Sequence, residues 1–324
     1  MQLLASGAIA GRDEIRGVTA VLCILDARSG EIVHRCDYRT PAELRAPRQK
    51  MQFTGFSFSD GRIYVCSHTE VVYFDSWPPT KPDGRISLPA FNDLHHCIPW
   101  REGLAVVNTG LETVDHVSLD GTLLDRWDLL AGRPDAREID PRREYRRLPD
   151  TKPHLVHANH LWTRQGELWV TELKSRRARC VTADHPPLRF DVGLPHDGRH
   201  AGDRLIFTTT NGFVVVVDPE DLQVVANHDL SPMVPGARVL GWCRGVCADP
   251  AHPSRLFVGF SFVRSSRWRE YGFRLKHGHR GLPSRIDLFD LELGQRVQSL
   301  EMTLPRSPGY VLFQLEALPE SLWI

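Results

Sequence analysis

The sequence has no apolar run of the roughly 20 residues that a helix needs to cross a bilayer. It also has no excess of charge of either sign, because 40 basic residues balance 40 acidic ones. A net charge of zero argues against generic binding to nucleic acid, which needs a basic surface. We therefore expect neither a membrane nor a nucleic acid as a partner.

Cysteine is scarce, and its spacing shows no disulfide framework. The seven residues are an odd number scattered over the chain, at positions 23, 36, 66, 97, 180, 243 and 247. Such a set is typical of reduced thiols. The N-terminal segment has no basic leader, and Arg12 and Asp13 interrupt its apolar residues, so we interpret it as mature protein rather than a signal peptide. These features predict a cytoplasmic location.

Helical periodicity is also scarce, and a β-strand repeat takes its place. Short β-branched or aromatic runs are separated by Gly, Pro, Asp and Asn. One unit recurs: a polar or histidine-containing lead, an apolar run, and a second apolar run that ends in aspartate before a turn. In such turns a carboxylate can accept backbone N–H groups. The six closing aspartates are Asp26, Asp75, Asp120, Asp184, Asp218 and Asp290.

Six such units in 324 residues predict an all-β fold, a six-bladed β-propeller in which residues 1–324 form a single domain. The first unit has no inner strand of its own. The C-terminal segment GYVLFQLEALPESLWI supplies a spare apolar run. We expect this strand to pair into the first blade and close the ring, which removes exposed sheet edges.

Two segments, residues 131–153 and 263–285, do not fit the blade pattern. The first connects the outer strand of blade three to the inner strand of blade four, and the second joins two strands of blade six. In a propeller both connections emerge on the face where the inner strands begin. Long loops on a rigid scaffold are where function concentrates, so we expect the functional site on this face.

Polar residues recur at the start of the inner strands, eight or nine positions before the apolar run of the second strand, which begins at Ile63, Leu104, Leu168, Leu205 and Leu322. Inner strands line the central channel of a propeller, so these side chains are expected to converge. The candidates on blades one to five are Phe313 and Gln314, Thr54 and Gly55, His95 and His96, Asn159 and His160, and His196 and Asp197. Blade six offers Trp242, Cys243 and Arg244.

Neutral imidazoles from adjacent blades suit a divalent metal, with amide or carboxylate oxygens completing the set. We predict that His96, His160 and His196 are ligands, and that Asn159, Asp197 or Gln314 completes or orients the shell. The ion would be Fe, Mn or Zn. The catalytic candidates are His157, His95 and Arg244, and either of the two histidines would move the proton.

The segment GFRLKHGHRG suggests a basic lid over an anionic substrate. Arginine suits this role because its guanidinium pairs bidentately with carboxylate, sulfate or phosphate. The predicted substrate-binding residues are Arg274, Lys276, His279, Arg280 and Trp242.

Six other histidines are left out of the predicted site. His154 lies earlier in the loop that leads to His157. Five more are expected on outer strands or turns and are interpreted as structural: His68, His116, His185, His228 and His252.

Two stretches, LHHCIPWREGLAVVNTGLETVDHVSLDGTLLDRWDL and VHANHLWTRQGELWVTELKSRRARCVTAD, resemble the propeller of aryl-sulfate sulfotransferases. The resemblance covers about a third of the chain. It implies a histidine at the channel mouth that takes a sulfuryl group from one phenol and passes it to another. It touches His95, His96, His157, Asn159 and His196.

The chain is also similar to six-bladed lactonases and strictosidine synthases, in which a metal or an acid lies on the axis. The usual ligands there are Glu, Asn and Asp, whereas here they would be mostly His.

Three functions remain open on the sequence. The first is a metal-dependent lyase, isomerase or hydrolase that acts on a small anionic substrate. The second is a metal-free, sulfotransferase-like enzyme with a histidine nucleophile. The third is a non-catalytic propeller that binds a protein, which would show exposed aromatic residues and no polar convergence in the channel.

Overall fold

Six four-stranded antiparallel sheets are arranged as the blades of a propeller in the computed structural model. The structure describes residues 1–11, 14–136, 138–237, 239–262, 283–302 and 309–324. Blade one contains β1 (Gln2–Gly11), β2 (Glu14–Asp26), β3 (Ile32–Tyr38) and, on its inner side, β24 (Tyr310–Ala317). Blade two contains β4 (Phe56–Ser59), β5 (Arg62–Cys66), β6 (Val71–Phe74) and β7 (Gly84–Ile86). Blade three contains β8 (Leu94–Trp100), β9 (Gly103–Asn108), β10 (Thr113–Ser118) and β11 (Leu123–Asp128).

The second half of the ring repeats this order. Blade four contains β12 (Ala158–Arg164), β13 (Glu167–Glu172), β14 (Arg177–Cys180) and β15 (Leu188–Arg189). Blade five contains β16 (Arg199–Ala201), β17 (Arg204–Thr208), β18 (Phe213–Val217) and β19 (Val224–Asp229). Blade six contains β20 (Trp242–Asp249), β21 (His252–Ser261), β22 (Arg285–Asp290) and β23 (Gln295–Glu301). Short 3₁₀ helices cover Ala42–Leu44, Tyr145–Arg147 and Glu320–Leu322.

The C-terminal strand closes the ring, as the sequence predicts. β24 pairs antiparallel with β1, and the register includes Leu3 opposite Ala317 and Ser6 opposite Gln314. The predicted six-bladed, all-β propeller and its closure are therefore confirmed. The N-terminal strand β1 and the C-terminal strand β24 lie in the same blade, so unfolding of either strand opens the ring.

The apolar core lies between adjacent blades. The two middle strands of each blade bury side chains on both faces, which explains their continuous apolar runs. Between blades one and two, for example, Leu22 and Ile24 pack with Phe56, Ile63 and Phe74. Outer strands alternate instead: the burial of β3 switches from residue to residue because one face meets solvent.

Four of the closing aspartates cap turns as predicted. Asp26 Oδ1 accepts the N–H of Ser29 at 2.8 Å, and Asp218 Oδ1 accepts that of Glu220 at 2.9 Å. Asp120 and Asp290 make corresponding bonds. Asp75 pairs instead with the Arg62 guanidinium.

The connection 131–153 packs over the face where the inner strands begin. The side chain of Asn92 donates to the Tyr145 carbonyl at 2.7 Å, and Gln49 donates to the Leu148 carbonyl at 3.0 Å. This connection therefore rests on blades two and three beside the channel mouth. The other long connection falls largely in residues 263–282, which lie outside the described residues.

All seven cysteines are free and buried. In the part of the chain that the structure describes, no helix is both long enough and apolar enough to cross a membrane.

Candidate functional site at the channel mouth

A β-bulge marks the start of most inner strands. The pairing slips between Leu94 and Cys97 on blade three, between Ala158 and His160 on blade four, and between Cys243 and Val246 on blade six. At a bulge, two residues take the place of one, so two adjacent side chains are both re-aimed near the axis. Aligned with these bulges, the first positions in blade order are Phe313, Thr54, His95, Asn159, His196 and Arg244. The second positions are Gln314, Gly55, His96, His160, Asp197 and Gly245.

Three of the six second positions connect one blade to the next through their side chains. The Gln314 side-chain amide accepts the Phe56 N–H at 2.9 Å and donates to the Phe56 carbonyl at 2.8 Å. His96 Nδ1 accepts the Leu161 N–H at 3.1 Å, and Asp197 Oδ2 accepts the Gly245 N–H at 3.0 Å. These side chains replace backbone pairing between blades.

The two glycines occupy this ring where the blades approach too closely for a side chain. A Cβ on Gly55 would lie 2.4 Å from Cδ2 of His96. Gly245 has φ +80°, and its Cβ would lie 3.2 Å from the Leu315 nitrogen. The second positions therefore form an interblade belt, the term we use below for Gln314, Gly55, His96, His160, Asp197 and Gly245.

His96 and His160 stack face to face within the belt, with ring centroids 3.8 Å apart and planes 20° apart. Burial lowers the pKa of His96 to about 3. Burial, assisted by His96 and Arg199, also holds the pKa of His160 well below its usual range. Both imidazoles are therefore neutral at physiological pH, which permits them to stack without repulsion.

Arg199 closes the channel beneath these rings. Its Nη1 donates to the Leu315 carbonyl at 2.7 Å, and Nη2 pairs with the Glu316 carboxylate. Because Arg199 belongs to blade five and Glu316 to blade one, this ion pair connects two non-adjacent blades.

The first positions and the loops above them form a second histidine group, which we call the mouth cluster: His68, His95, His154, His157 and His196. His95 and His157 meet edge to face, with centroids 5.1 Å apart. His154 Nδ1 lies 3.1 Å from His157 Nδ1, so one of these nitrogens carries the shared proton.

His95 is oriented by its own loop. Its Nδ1 lies 2.8 Å from the Asp93 carbonyl, an acceptor, so this nitrogen carries the ring proton and Nε2 carries the lone pair. Burial lowers the pKa of His95 to about 3. The residue is 9% exposed.

Asp93 is a buried carboxylate at the edge of the cluster. Lys50 Nζ lies 3.0 Å from its Oδ1, and His68 Nδ1 lies 3.2 Å from the same oxygen. Burial alone would raise the pKa of Asp93, but Lys50 and the adjacent imidazoles hold it well below the usual range. Asp93 is therefore ionised and anchors a positive charge at the mouth.

Glu112 fixes the loop that carries His154 and His157. Its Oε1 accepts the N–H groups of Leu155, Val156 and His157 at 2.7, 2.6 and 2.9 Å. The backbone of His157 has φ +53°, a left-handed conformation that non-glycine residues seldom adopt. A strained backbone conformation persists when surrounding contacts hold it in place, and the three hydrogen bonds to Glu112 hold the backbone of His157 here.

Two further first-position residues offer polar groups to the mouth. The Arg244 guanidinium lies 3.9 Å from the centroid of the Phe313 ring, a cation–π contact. Asn159 Nδ2 donates to the Pro195 carbonyl at 3.4 Å, whereas its Oδ1 is buried with no partner in the described residues. An unsatisfied buried acceptor costs about 1–3 kcal/mol, which a ligand donor would recover.

The side chains of the predicted metal ligands are not arranged to bind a single ion. Stacked rings have their lone pairs in parallel planes, so His96 and His160 cannot both point at one ion. His96 Nδ1 and the amide of Gln314 already bond backbone groups. Among the described residues, three ligand atoms approach within 4.8 Å of one another at one place, formed by Glu167, Cys180 and His185. This triad lies outside the mouth cluster.

Sequence reasoning missed several members of the site. His68 was interpreted as structural and His154 was left out, yet both are buried beside predicted residues, as are Asp93 and Glu112. Lys50, which pairs with Asp93, is partly buried. Trp242 is half-buried at the start of β20. The predicted lid residues Arg274, Lys276, His279 and Arg280 lie outside the described residues.

No protein-family model matches the chain, and no curated protein matches it in sequence. Solved structures do match in fold. A protein of unknown function from Bacteroides caccae has a TM-score of 0.60 and 12% identity, and the match covers 97% of each chain. A chain of a nidogen/laminin complex has a TM-score of 0.58 and 11% identity, again over 97% of each chain.

A candidate 6-phosphogluconolactonase from Bacteroides uniformis has a TM-score of 0.51 and 12% identity, over 96% of this chain and 82% of that one. At these identities the similarity concerns the fold, and propellers host unrelated functions. The chain is a six-bladed β-propeller similar in fold to a candidate lactonase.

Proposed function

We propose that this chain is an enzyme that transfers or hydrolyses a small anionic ester at the mouth cluster, with His95 as the nucleophile. The observation that supports this proposal is the state of the His95 ring. A proton fixed on Nδ1 by the Asp93 carbonyl leaves the Nε2 lone pair available, and a pKa of about 3 keeps it available throughout the physiological range.

The step would proceed through a covalent imidazole adduct. The Nε2 lone pair forms a bond to the carbonyl carbon, phosphorus or sulfur of the ester. The bond to the leaving oxygen breaks with its electron pair, and that oxygen takes the Nε2 proton of His196, which starts the step as an imidazolium and ends it as a neutral imidazole. The His95 ring then carries a positive charge until water or a second hydroxyl takes the group and returns a proton to His196.

His196 suits the proton-donor role because a carboxylate orients it. Its Nδ1 lies 3.3 Å from Asp197 Oδ1, so Nε2 faces away from that contact. Asp197 is in turn fixed by bonds from Thr208 and Gly245. A histidine held by an anchored carboxylate is a common acid–base arrangement in enzymes.

Charge and hydrogen-bonding groups favour an anionic substrate. Arg244 supplies positive charge near the mouth, whereas the charge of Lys50 is paired with Asp93. Asn159 Oδ1 offers an acceptor to a hydroxyl or amine. The similar fold of a candidate 6-phosphogluconolactonase and the resemblance to aryl-sulfate sulfotransferases both motivate anionic esters as probes. The predicted lid, with Arg274, Lys276, His279 and Arg280, would add further positive charge.

The test uses three probes: p-nitrophenyl sulfate with a phenol acceptor, p-nitrophenyl phosphate, and 6-phosphogluconolactone. We expect turnover of at least one, with loss of activity in His95→Gln and retention in His252→Gln. His252 is an exposed histidine of blade six, paired with Asp249, and serves as the matched control. Absence of turnover with all three probes, or full activity of His95→Gln, would contradict the proposal.

A metal-dependent enzyme is the second candidate, and one observation favours it. Burial holds the pKa of six channel and mouth histidines below the usual value, and neutral imidazole is the form that coordinates metals. Rings of the mouth cluster would have to turn to converge on Fe, Mn or Zn. Activity that is lost on chelation and restored by one of these metals would support this candidate over the metal-free one.

A protein-binding propeller predicts a different surface. Among the described residues, Trp323 is the one aromatic side chain that is both large and more than about a third exposed, whereas polar groups converge at the mouth. This arrangement favours a small-molecule ligand. A cytoplasmic location remains our expectation from the sequence.

A further inference from the structure

We propose that Glu167, Cys180 and His185 form a zinc-class metal site on blade four, at the face opposite the mouth. β13 begins at Glu167 and runs toward the mouth, and β14 runs away from it to end at Cys180. The two residues therefore meet at the far end of the blade. His185 follows in the loop before β15 and turns back onto them.

The three side chains supply one oxygen, one sulfur and one nitrogen donor. His185 Nε2 lies 2.7 Å from Glu167 Oε2, and Cys180 Sγ lies 4.0 Å from the same oxygen. In a tetrahedral zinc site, bond lengths of 2.0–2.3 Å put neighbouring ligand atoms about 3.3–3.5 Å apart. All three donor atoms lie within 4.8 Å of one another, so shifts of about an ångström would convert the present contacts into a coordination set.

The surroundings orient these donors. The Ala183 N–H donates to Cys180 Sγ at 3.3 Å, a bond that stabilises sulfur when it carries negative charge. The His185 ring stacks on Trp169, with centroids 5.8 Å apart and planes 21° apart. Stacking fixes the plane of the ring, and hence the direction of its lone pair.

Burial of the triad suits a three-ligand site. Cys180 is 9% exposed, whereas the side chains of Glu167 and His185 are 29% and 36% exposed. The sulfur is thus protected from solvent while one side of the site is open, which leaves the fourth position for water. On binding, the Cys180 thiol gives its proton to solvent, and the metal takes the sulfur lone pair.

Mixed nitrogen, sulfur and oxygen donors select zinc over magnesium or calcium, which prefer oxygen ligands alone. An ion here would join the β13 end of the blade to the loop before β15. It would lie at the opposite end of the strands from the mouth cluster, so the site is independent of the proposed reaction.

The experiment is a titration of the full chain with Co²⁺, followed by competition with Zn²⁺ against a chromophoric chelator. Cys180 ligation predicts a sulfur-to-cobalt charge-transfer band in the near ultraviolet, which Zn²⁺ displaces. Cys180→Ser should abolish the band and weaken Zn²⁺ binding by about 100-fold or more, since even outer-shell changes cost 10–100-fold.

Two further variants keep the result interpretable. His185→Gln should weaken binding to a similar extent, whereas His252→Gln, which alters another histidine–carboxylate pair, should leave it unchanged. His95→Gln should retain the cobalt band, which separates this site from the mouth cluster. Equal Zn²⁺ affinity of the wild type and a folded Cys180→Ser variant would show a surface ion pair only and overturn the proposal.

Discussion

Adjacent residues on the same inner strand differ in what their side chains bond: on blade three, His96 bonds the backbone of a neighbouring blade and His95 does not. In the interblade belt, Gln314, His96 and Asp197 bond backbone groups of a neighbouring blade. One residue earlier, the ring proton of His95 is held by the carbonyl of its own loop residue Asp93, and Asn159 Oδ1 is buried with no partner in the described residues. The Arg244 guanidinium lies over the Phe313 ring. The bulge that re-aims two successive side chains makes this division possible. A polar residue near a propeller axis therefore cannot be assigned to function without knowledge of its bulge position.

The comparison predicts its largest effect for His95→Gln. Loss of the Nε2 lone pair should lower kcat/KM for the active probe by about 10²–10⁴-fold, as expected when a positioned catalytic group is removed. Stability should change by less than about 1 kcal/mol, because no interblade bond depends on this ring. Steady-state kinetics and urea unfolding of the same preparation measure both quantities. A large loss of stability would place His95 with the belt instead.

Gln314→Ala should show the opposite behaviour. The substitution removes both bonds to Phe56 and leaves a buried N–H and a buried carbonyl unpaired at the closure of the ring. Each costs about 1–3 kcal/mol, so we expect a loss of about 2–4 kcal/mol. Asn159→Ala is the matched control from the first bulge position, and it should cost less than about 1 kcal/mol because its bond is long. Similar losses for the two variants would remove the distinction between the positions.

The buried neutral histidines predict a stability that depends on pH. Folding lowers the pKa of His95 and His96 to about 3, so below pH 6.5 the unfolded chain binds protons that the folded chain does not. Stability should therefore be constant above about pH 6.5 and fall as the pH decreases toward 3. The loss is about 2 kcal/mol per histidine between pH 6.5 and 5. His96→Gln should reduce this slope, and an unchanged slope would contradict the proposed state of the ring.

The smallest effect is expected for Glu112→Gln. The amide retains one oxygen acceptor for the N–H groups of Leu155, Val156 and His157, but it loses the charge that strengthens those bonds. We expect a loss of about 1 kcal/mol of stability and a decrease in kcat/KM of about tenfold, because the His157 loop is less well fixed. Unfolding and kinetics test this together, and unaltered kcat/KM would show that the loop position does not matter.

The fold could be predicted because its signals are local. Apolar runs, turn residues and the aspartates that follow them, such as Asp26 and Asp218, recur within each blade. The inner-strand pairs, including His95 with His96 and His196 with Asp197, also followed from distance to the next apolar run. Ring closure followed from counting strands.

The arrangement of the site could not be predicted because it depends on contacts between blades. His68 lies in a turn of blade two, and its distance to Asp93 is set by packing against blade three. The stack of His96 on His160 likewise depends on the spacing of two blades. Glu112 is one carboxylate among many in the sequence, and its role arises only where the loop after residue 153 meets it.

The most direct test of the account is the protonation state of His95 in the folded protein. Nitrogen-15 NMR of the imidazoles, assigned with His95→Gln, reports which ring nitrogen carries the proton and the pH at which the second one binds. We predict a neutral ring protonated on Nδ1 from pH 8 down to pH 5. A ring that becomes imidazolium near pH 6.5, or one that carries its proton on Nε2, would contradict the proposal that His95 is the nucleophile.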